Sequence, residues 1–317
     1  MSLPIKPPGL ITDAVFQEHD SGRGHPESPL RLETVYKRLE TSRETAKFVA
    51  LEYRPATLDD LALAHDRDYI ATVEQFCRER GGRIEADTHV GRRSFEVAAK
   101  AAGAAIAATD AVLSGTVPRA LVLARPPGHH ALQNSAMGFC LFNNVAIAAA
   151  HALARHDLDR VLIVDWDVHH GNGTQDIFYD SERVGFLSSH RHPFYPGSGL
   201  EDETGVGAGL GTKFNLPIAF GTSRKEFLAR FESKLNDAVV KTQPQLILIS
   251  AGFDAHHADP IGSLGLETED FATLTNLVVG AANAHCGGRV VSLLEGGYHV
   301  DRLADCVEVH MHGLASA

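Results

Sequence analysis

Four short apolar runs, each followed within a few residues by histidine, aspartate or tyrosine, constrain this chain more than any other feature. The run ALVLA (120–124) precedes RPPGHHA, VLIV (161–164) precedes DWDVHHGNG, LILIS (246–250) precedes AGFDAHHADP, and VVSLL (290–294) precedes EGGYH. Continuous apolar runs of this length are typical of strands buried on both faces of a parallel sheet. Because the carboxyl ends of parallel strands meet at one edge, we expect the polar residues to gather there.

The segments between these runs favour an α/β fold in one domain over residues 1–317. Ala-rich amphipathic stretches alternate with the runs, which indicates a central parallel β-sheet flanked by helices. No repeat, low-complexity tract or polar linker divides the chain, and its 44% of hydrophobic residues suffices for a sizeable core. The predicted helices are Ser94–Leu113, Asn143–Arg155, Arg224–Lys241, Glu269–His285 and a last one near Asp301–His312, and a fifth strand is predicted at Val184–Leu187. The glycine-rich stretch Pro193–Thr212 is predicted to be a long functional loop.

Charge and cysteine content exclude several classes of protein. The formal net charge of -11 argues against direct binding to nucleic acid, because phosphates would be repelled, whereas a Lys-rich tail or a polyamine would be attracted. The four cysteines are far apart and form no CxxC pair, which argues against disulfides and favours a reducing compartment. No stretch is apolar enough for a signal peptide or a membrane span. We therefore expect a cytoplasmic protein without membrane contact, with the oligomeric state, a homo-oligomer included, left open.

The DxDxH motif at residues 165–169 predicts a metal site. Along an extended chain residues i, i+2 and i+4 point to one side, so Asp165, Asp167 and His169 share a side. Asp254, at the end of another run, is the expected further ligand, and few protein ligands with an open position for water are typical of catalysis. An isolated DxDxH would more often be a turn with capping aspartates, but the histidine pairs in the neighbouring motifs favour a metal. A mostly carboxylate set favours zinc and also suits Fe(II) or Co(II).

The motifs together resemble the histone deacetylase family, in its class II and bacterial branch. They are HPESPLR (25–31), RPPGHHA (125–131), GFCLFNN (138–144), DWDVHHGNG (165–173), FYPGSG (194–199), GFDAHHADP (252–260) and LEGGY (294–298). The resemblance covers nearly the whole chain. It implies an arginase/deacetylase-like fold and a metal-dependent deacetylase that hydrolyses linear amide bonds.

The resemblance also assigns roles to single residues. Asp167, His169 and Asp254 match the metal ligands of the family. His130 matches the residue that acts as general base and then as general acid, and His129 matches the neighbour that supports the charge.

Three further positions complete the implied catalytic set. Asp165 matches the acidic partner of the first histidine. Asn172 stands behind the second histidine, where class I relatives carry aspartate and class II relatives commonly carry asparagine. Tyr298 matches the tyrosine that stabilises the oxyanion, and relatives with histidine there lose most activity, so its presence implies an active enzyme.

A substrate channel and two structural cation sites are implied as well. The channel residues are Phe139 and Tyr195, which match an aromatic pair lining a narrow acyl-lysine channel, with Gly138 and Ile261. Two monovalent-cation sites are expected to hold potassium. The first site comprises Asp165, Asp167, His169, Ser188 and Ser189, and the second the carbonyl oxygens of Phe178, Ser181 and Val184.

The substrate is less constrained than the chemistry. Polyamine-preferring class II relatives carry glutamate just after the DP of the GFDA loop, where this chain has Ile261. We therefore expect acyl-lysine or a small N-acylated amine, with an acetylpolyamine amidohydrolase as the alternative. A ureohydrolase with two manganese ions would need a second metal-bridging DxD set, which DWDVHHGNG lacks. An inactive acyl-binding scaffold is disfavoured by the full ligand set and Tyr298, and no role is assigned to Asp87.

Overall fold

A parallel sheet of eight strands forms the centre of the computed structural model, which describes residues 6–316. The strands are β1 (Gly9–Ile11), β2 (Val49–Ala50), β3 (Gly82–Arg83), β4 (His89–Val90), β5 (Arg119–Val122), β6 (Val161–Asp165), β7 (Val184–Arg191), β8 (Lys213–Ile218), β9 (Leu246–Ala251) and β10 (Val290–Leu294). In the large sheet they lie in the order β2-β1-β5-β10-β9-β6-β7-β8, while β3 and β4 form a small antiparallel pair.

Helices flank this sheet, as parallel strands require for their crossover connections. They are α1 (Leu30–Thr41), α2 (Leu58–Leu61), α3 (Arg67–Glu79), α4 (Ser94–Leu113), α5 (Asn144–Arg155), α6 (Asn172–Ile177), α7 (Arg224–Thr242), α8 (Thr268–His285) and α9 (Val300–Ala315). None of the helices in the described part of the chain is both long and apolar enough to cross a membrane.

The four strands that carry the polar motifs are neighbours in the middle of the sheet. They are β5, β10, β9 and β6, and all their residues are buried. Asp165 at the end of β6 lies opposite Ser250 of β9, and Leu294 of β10 lies opposite Ala251. Because these strands are parallel and end nearly level, their following loops leave from one edge, as the sequence predicts.

The predicted α/β fold is confirmed, with differences at the sheet margins. Helices α4, α5, α7, α8 and α9 begin and end close to their predicted bounds, and the predicted loop connects β7 to β8. Strands β1 and β2 were not predicted because they have only three and two residues. Strand β8 was not predicted because it carries buried Lys213 and Asn215, so it is not an apolar run.

A buried cluster of charges joins the N-terminal segment to the loop after β10. Glu27, Arg31 and Arg125 are all 0% exposed. The Glu27 carboxylate accepts hydrogen bonds from Arg31 Nη1 at 3.0 Å and from Arg125 Nη2 at 2.7 Å. Arg31 also donates to the carbonyl of Gly297 at 2.7 Å and to that of Glu295. Burial alone would raise the pKa of Glu27, but the two guanidinium groups outweigh it and hold this pKa well below its ordinary value.

Replacement of Glu27 by glutamine should therefore destabilise the fold strongly. Two buried guanidinium groups would lose their counter-charge, and we expect the free energy of unfolding in urea to fall by about 3–5 kcal/mol. In the native protein this contribution should be complete above the ordinary glutamate pKa of 4.5 and be lost as the pH falls below it, because folding lowers the pKa. Glu52→Gln, at an exposed position, is the matched control, and equal stabilities of the two variants would refute the assignment.

Candidate metal centre and active site

Two loops bring the three predicted metal ligands together at the carboxyl edge of the sheet. Asp167 and His169 follow β6, and Asp254 follows β9. Their candidate ligand atoms all lie within 4.8 Å of one another. His169 Nδ1 is 2.9 Å from Asp167 Oδ1 and 3.2 Å from Asp254 Oδ2. Trp166 and Val168, which alternate with Asp165, Asp167 and His169 along the chain, are fully buried in the core, as the alternation of an extended chain predicts.

Backbone N–H groups bind both oxygens of Asp167, including Oδ1 through the N–H of His169 at 2.9 Å, but only one oxygen of Asp254. Asp167 Oδ2 accepts from the N–H of Gly296 at 2.8 Å, and Asp254 Oδ1 accepts from the N–H of Val168 at 2.8 Å. Asp254 Oδ2 is buried and makes no hydrogen bond among the described residues, and the His169 nitrogen lies 3.2 Å from it. Buried carboxylate oxygens that face a single imidazole nitrogen are unfavourable unless a cation binds them, so this donor set fits a divalent metal ion. Only glycine is compatible with position 296, since a Cβ there would overlap both carboxylates.

Two adjacent histidines after β5 each have a fixed partner. His129 Nδ1 donates to Asp165 Oδ2 at 2.9 Å, and His130 Nδ1 donates to Asn172 Oδ1 at 2.7 Å. The His130 side chain lines the cavity described below, and its Nε2 is left as the nitrogen able to accept a proton. The two ring centroids are 4.0 Å apart.

The surroundings give the two histidines opposite proton affinities. Burial disfavours a charge on His129, but the carboxylates of Asp165 and Asp167 outweigh it and raise the pKa of His129 to about 10. Burial lowers the pKa of His130 well below its ordinary value, and the charges of His129 and His169 lower it further. His129 is therefore charged and His130 neutral, so His129 can stabilise nearby negative charge while His130 can accept a proton.

A narrow cavity of about 220 Å³ leads to this cluster. Its lining residues are Asp87, His130, Gly138, Phe139, His169, Phe194, Tyr195, Ile261 and Tyr298. The four channel residues predicted from the sequence thus lie around one cavity. The predicted base, His130, and the predicted oxyanion donor, Tyr298, line the same cavity. The Tyr298 ring meets the Phe139 ring edge-on, with centroids 6.0 Å apart. Burial raises the pKa of Tyr298 well above its ordinary value, so the hydroxyl keeps its proton and can donate it in a hydrogen bond.

Asp87 connects the two walls of the cavity and was not assigned a role from the sequence. Its carboxylate accepts from Tyr195 Oη at 2.8 Å and from the N–H of Gly138 at 3.0 Å. Gly138 and Phe139 both have positive φ, 56° and 70°, which is unfavourable for phenylalanine. The Thr88 hydroxyl accepts from the Phe139 N–H at 3.1 Å and helps to hold this conformation.

Glu295 is a second functional residue that was not singled out. It is 1% exposed, and it accepts from the N–H groups of Gly128 and His129 and from the Ser250 hydroxyl, at 2.7, 3.2 and 3.1 Å. Burial raises its pKa to about 7. Glu295 therefore holds the loop of Gly128 and His129 in place from the end of the neighbouring strand. The sequence did contain a signal for it, because an acidic residue directly follows an apolar run.

The two predicted potassium sites differ in how well the structure suits them. At the first, Ser188 of β7 lies opposite Asp165, and the buried Ser189 hydroxyl has no hydrogen-bond partner among the described residues. At the second, the carbonyl oxygens of Ser181 and Val184 already accept hydrogen bonds from the ammonium group of Lys213. The second expectation therefore needs correction, because a charged side chain lies where an ion was expected.

Comparison with known proteins gives one consistent result. A family model described as "Histone deacetylase domain" matches residues 25–314. The chain is 39% identical over 298 residues to a "Probable deacetylase" of Archaeoglobus fulgidus, covering 92% of this chain and 82% of that protein. It is 40% identical over 277 residues to the "Histone deacetylase-like amidohydrolase" of Pseudomonas aeruginosa, covering 87% and 73%.

Two further similarities extend this result. The chain is 40% identical over 295 residues to "Polyamine deacetylase HDAC10" of Homo sapiens, covering 89% of this chain but 43% of the human protein. The crystal structure of the HDA15 HD domain matches the fold with a TM-score of 0.92 at 32% identity, covering 98% of this chain and 88% of that one. The extent of the domain over residues 1–317 stays a prediction.

The crowded carboxylates lead to a prediction about Asp254. Burial and the neighbouring charge of Asp167 raise the pKa of Asp254 to about 7, so its ionised form destabilises the metal-free fold. Asp254→Asn should abolish binding of one divalent ion, measured by equilibrium dialysis. In chelator at pH 8 the same variant should unfold in urea with a free energy larger by about 1–4 kcal/mol, because a neutral amide replaces the buried charge.

Asp237→Asn, an exposed aspartate on α7, is the matched control for both measurements. Wild-type metal affinity in Asp254→Asn would exclude Asp254 as a ligand. A less stable variant in chelator would exclude the destabilising effect of the buried charge.

Proposed function

This chain belongs to the histone deacetylase family, and we propose that it hydrolyses an acyl-lysine or another small N-acylated amine with one zinc ion bound by Asp167, His169 and Asp254. It is a hydrolase that acts on amide bonds, the activity that the names of its deacetylase and amidohydrolase relatives describe. The observation that carries the proposal is the buried Asp254 Oδ2, which makes no hydrogen bond and lies 3.2 Å from His169 Nδ1, beside a cavity lined by His130 and Tyr298.

The chemistry of the donor set supports zinc. One imidazole nitrogen and two carboxylates leave coordination positions for water and substrate, and Fe(II) or Co(II) would accept the same ligands. When bound, the ion would supply Lewis acidity to the acyl carbonyl and to the attacking water. The family is generally zinc-dependent, and the ligand cluster agrees with that property.

His130 is the proposed base and acid of the reaction. Its Nδ1–H is held by Asn172, so Nε2 can take a proton from water while the water oxygen bonds to the acyl carbon. The same nitrogen then returns the proton to the amine nitrogen as the carbon–nitrogen bond breaks, which yields a carboxylic acid and a free amine. His129 is positively charged and paired with Asp165, and its charge lies beside His130, where negative charge develops during the reaction.

Tyr298 is the proposed donor to the oxyanion. Its ring lies in the cavity with His130 and His169, and its backbone N–H is fixed by Asp259 at 2.7 Å. The guanidinium of Arg31 lies over the Tyr298 ring, 5.0 Å from its centroid, and stabilises the position of the ring. A hydroxyl held in this way can stabilise negative charge that develops on the carbonyl oxygen.

Ile261 is the residue that favours acyl-lysine over acetylpolyamines. It is 37% exposed at the cavity, where an apolar side chain offers no attraction for a second cationic group on the substrate. The phenylalanine and tyrosine walls suit an aliphatic stem. An acetylpolyamine stays the second candidate, because the human relative is named a polyamine deacetylase and the net charge of -11 attracts cations.

Compartment and partners are proposed on chemical grounds. All four cysteines are free thiols buried in the fold, which favours a reducing, cytoplasmic location. The acidic net charge argues against nucleic acid as a partner and leaves the acylated amine as the expected one. The first potassium site, with the partnerless Ser189 hydroxyl, is proposed as a structural cation site.

Removal of the Tyr298 hydroxyl tests the reaction directly. We expect Tyr298→Phe to hydrolyse a fluorogenic acetyl-lysine substrate about 100–1000-fold more slowly than wild type while it binds the same amount of zinc. Wild-type turnover should stop with a chelator and return with zinc. Tyr179→Phe, outside the cavity, is the matched control.

Different outcomes of that assay test different parts of the proposal, namely the oxyanion role, the substrate preference and the metal mechanism. Full turnover by zinc-loaded Tyr298→Phe would exclude the oxyanion role. Turnover of N-acetylputrescine with inert acetyl-lysine peptides would reverse the substrate preference. Failure of the wild-type protein to bind a divalent metal would refute the metal mechanism.

A charge placed at position 261 should change the substrate preference. Ile261→Glu is expected to raise kcat/KM for N-acetylputrescine relative to acetyl-lysine by about 10-fold or more, because a carboxylate at the mouth attracts the free ammonium group. Ile261→Gln has nearly the same size without the charge and should leave the ratio near that of wild type. An equal change in both variants would show that size, and not charge, controls this position.

A further inference from the structure

Lys213 buries its ammonium group inside the protein. It is the first residue of β8 and is 2% exposed. Its Nζ donates to the carbonyl of Val184 at 3.0 Å, to the carbonyl of Ser181 at 3.3 Å and to Thr212 Oγ1 at 2.6 Å. An ammonium group has three N–H donors, so each one has an oxygen partner.

These partners form a cage of neutral oxygens. Lys213 makes no ion pair within 4.0 Å with any residue that the structure describes, and the acidic group that acts on it is exposed Asp180. Burial lowers the pKa of Lys213 to about 8, so at neutral pH most molecules still carry the charge. Neutral carbonyl and hydroxyl oxygens around a buried positive charge are the environment that proteins also use for potassium ions.

The cage coincides with the second predicted potassium site, and all three predicted carbonyl ligands already accept hydrogen bonds. Ser181 O and Val184 O are bound by Lys213. Phe178 O, the third predicted ligand, accepts from the N–H of Ser181 at 3.0 Å. A free cation bound to these oxygens would lie beside the Lys213 ammonium group and be repelled by it.

We propose that the ammonium group of Lys213 replaces the second monovalent cation, so that this position is held by a charge that is covalently part of the chain. The inference does not depend on the reaction assigned above. The caged segment, residues 178–184, directly follows α6, whose first residue, Asn172, holds His130. A built-in cation therefore fixes the end of this segment at any potassium concentration.

The number of monovalent cations bound by the wild-type protein gives the first test. Thallous ion, which substitutes for potassium, would be counted by equilibrium dialysis against purified wild-type protein. We expect at most one ion per chain, at the site around Asp165 and Ser189. Two thallous ions per chain would overturn the proposal, whatever the behaviour of any variant.

Two substitutions of Lys213 give the second test. Lys213→Ser empties the cage, and its Tm should fall by at least about 2–4 °C in N-methylglucamine chloride and recover when potassium chloride replaces that salt at equal ionic strength. Lys213→Met also lacks the charge, but its side chain fills the cage, so potassium should not restore its Tm. Lys225→Ser, at an exposed position on α7, is the matched control and should respond to potassium as wild type does.

A gain of one thallous ion in Lys213→Ser would support the same conclusion independently of stability. If Lys213→Ser responds to potassium no more than wild type does, the cage is not a cation site and the proposal fails. If this variant does not fold, the ion count on the wild-type protein decides.

Discussion

The burial of four carboxylates at one edge of the sheet is the constraint on which the rest of the structure depends. Asp165, Asp167, Asp254 and Glu295 are each no more than 1% exposed. Such a concentration of negative charge is unfavourable without compensation, and burial raises the pKa of both Asp254 and Glu295 to about 7. Backbone N–H groups and His129 offset part of the charge. The remainder fits a cation, so the demand for a metal arises from the architecture of the edge itself.

Buried positive charges lie at both ends of the parallel strands. Arg31 and Arg125 share the carboxylate of Glu27, and Arg31 at the same time binds the loop that carries Tyr298. Lys213 is buried without any carboxylate and relies on carbonyl and hydroxyl oxygens alone. The buried guanidinium group of Arg31 thus holds the loop that carries Tyr298, whereas the buried ammonium group of Lys213 holds the segment that enters β7, at the opposite end of the strands.

The sequence was sufficient for features that depend on local pattern. The middle strands, five of the helices and the gathering of Asp167, His169 and Asp254 follow from apolar runs and from the common edge of parallel strands. It was insufficient where a partner is distant in the chain. Asp87 binds Tyr195, which lies 108 positions away, and no local signal marks this pair. A single lysine at the start of a short strand is ordinarily a surface residue, so the burial of Lys213 was not predictable either.

The bridge that Asp87 makes between Tyr195 and Gly138 has a consequence for any molecule that enters the channel. Both walls are tied to one carboxylate, so the slot has its width before a ligand arrives and does not close around it. The conformational entropy lost on entry is then mainly that of the ligand, which must straighten its own chain. Slender molecules that are already extended should gain affinity over flexible ones of equal surface, and bulky ones should be refused rather than accommodated.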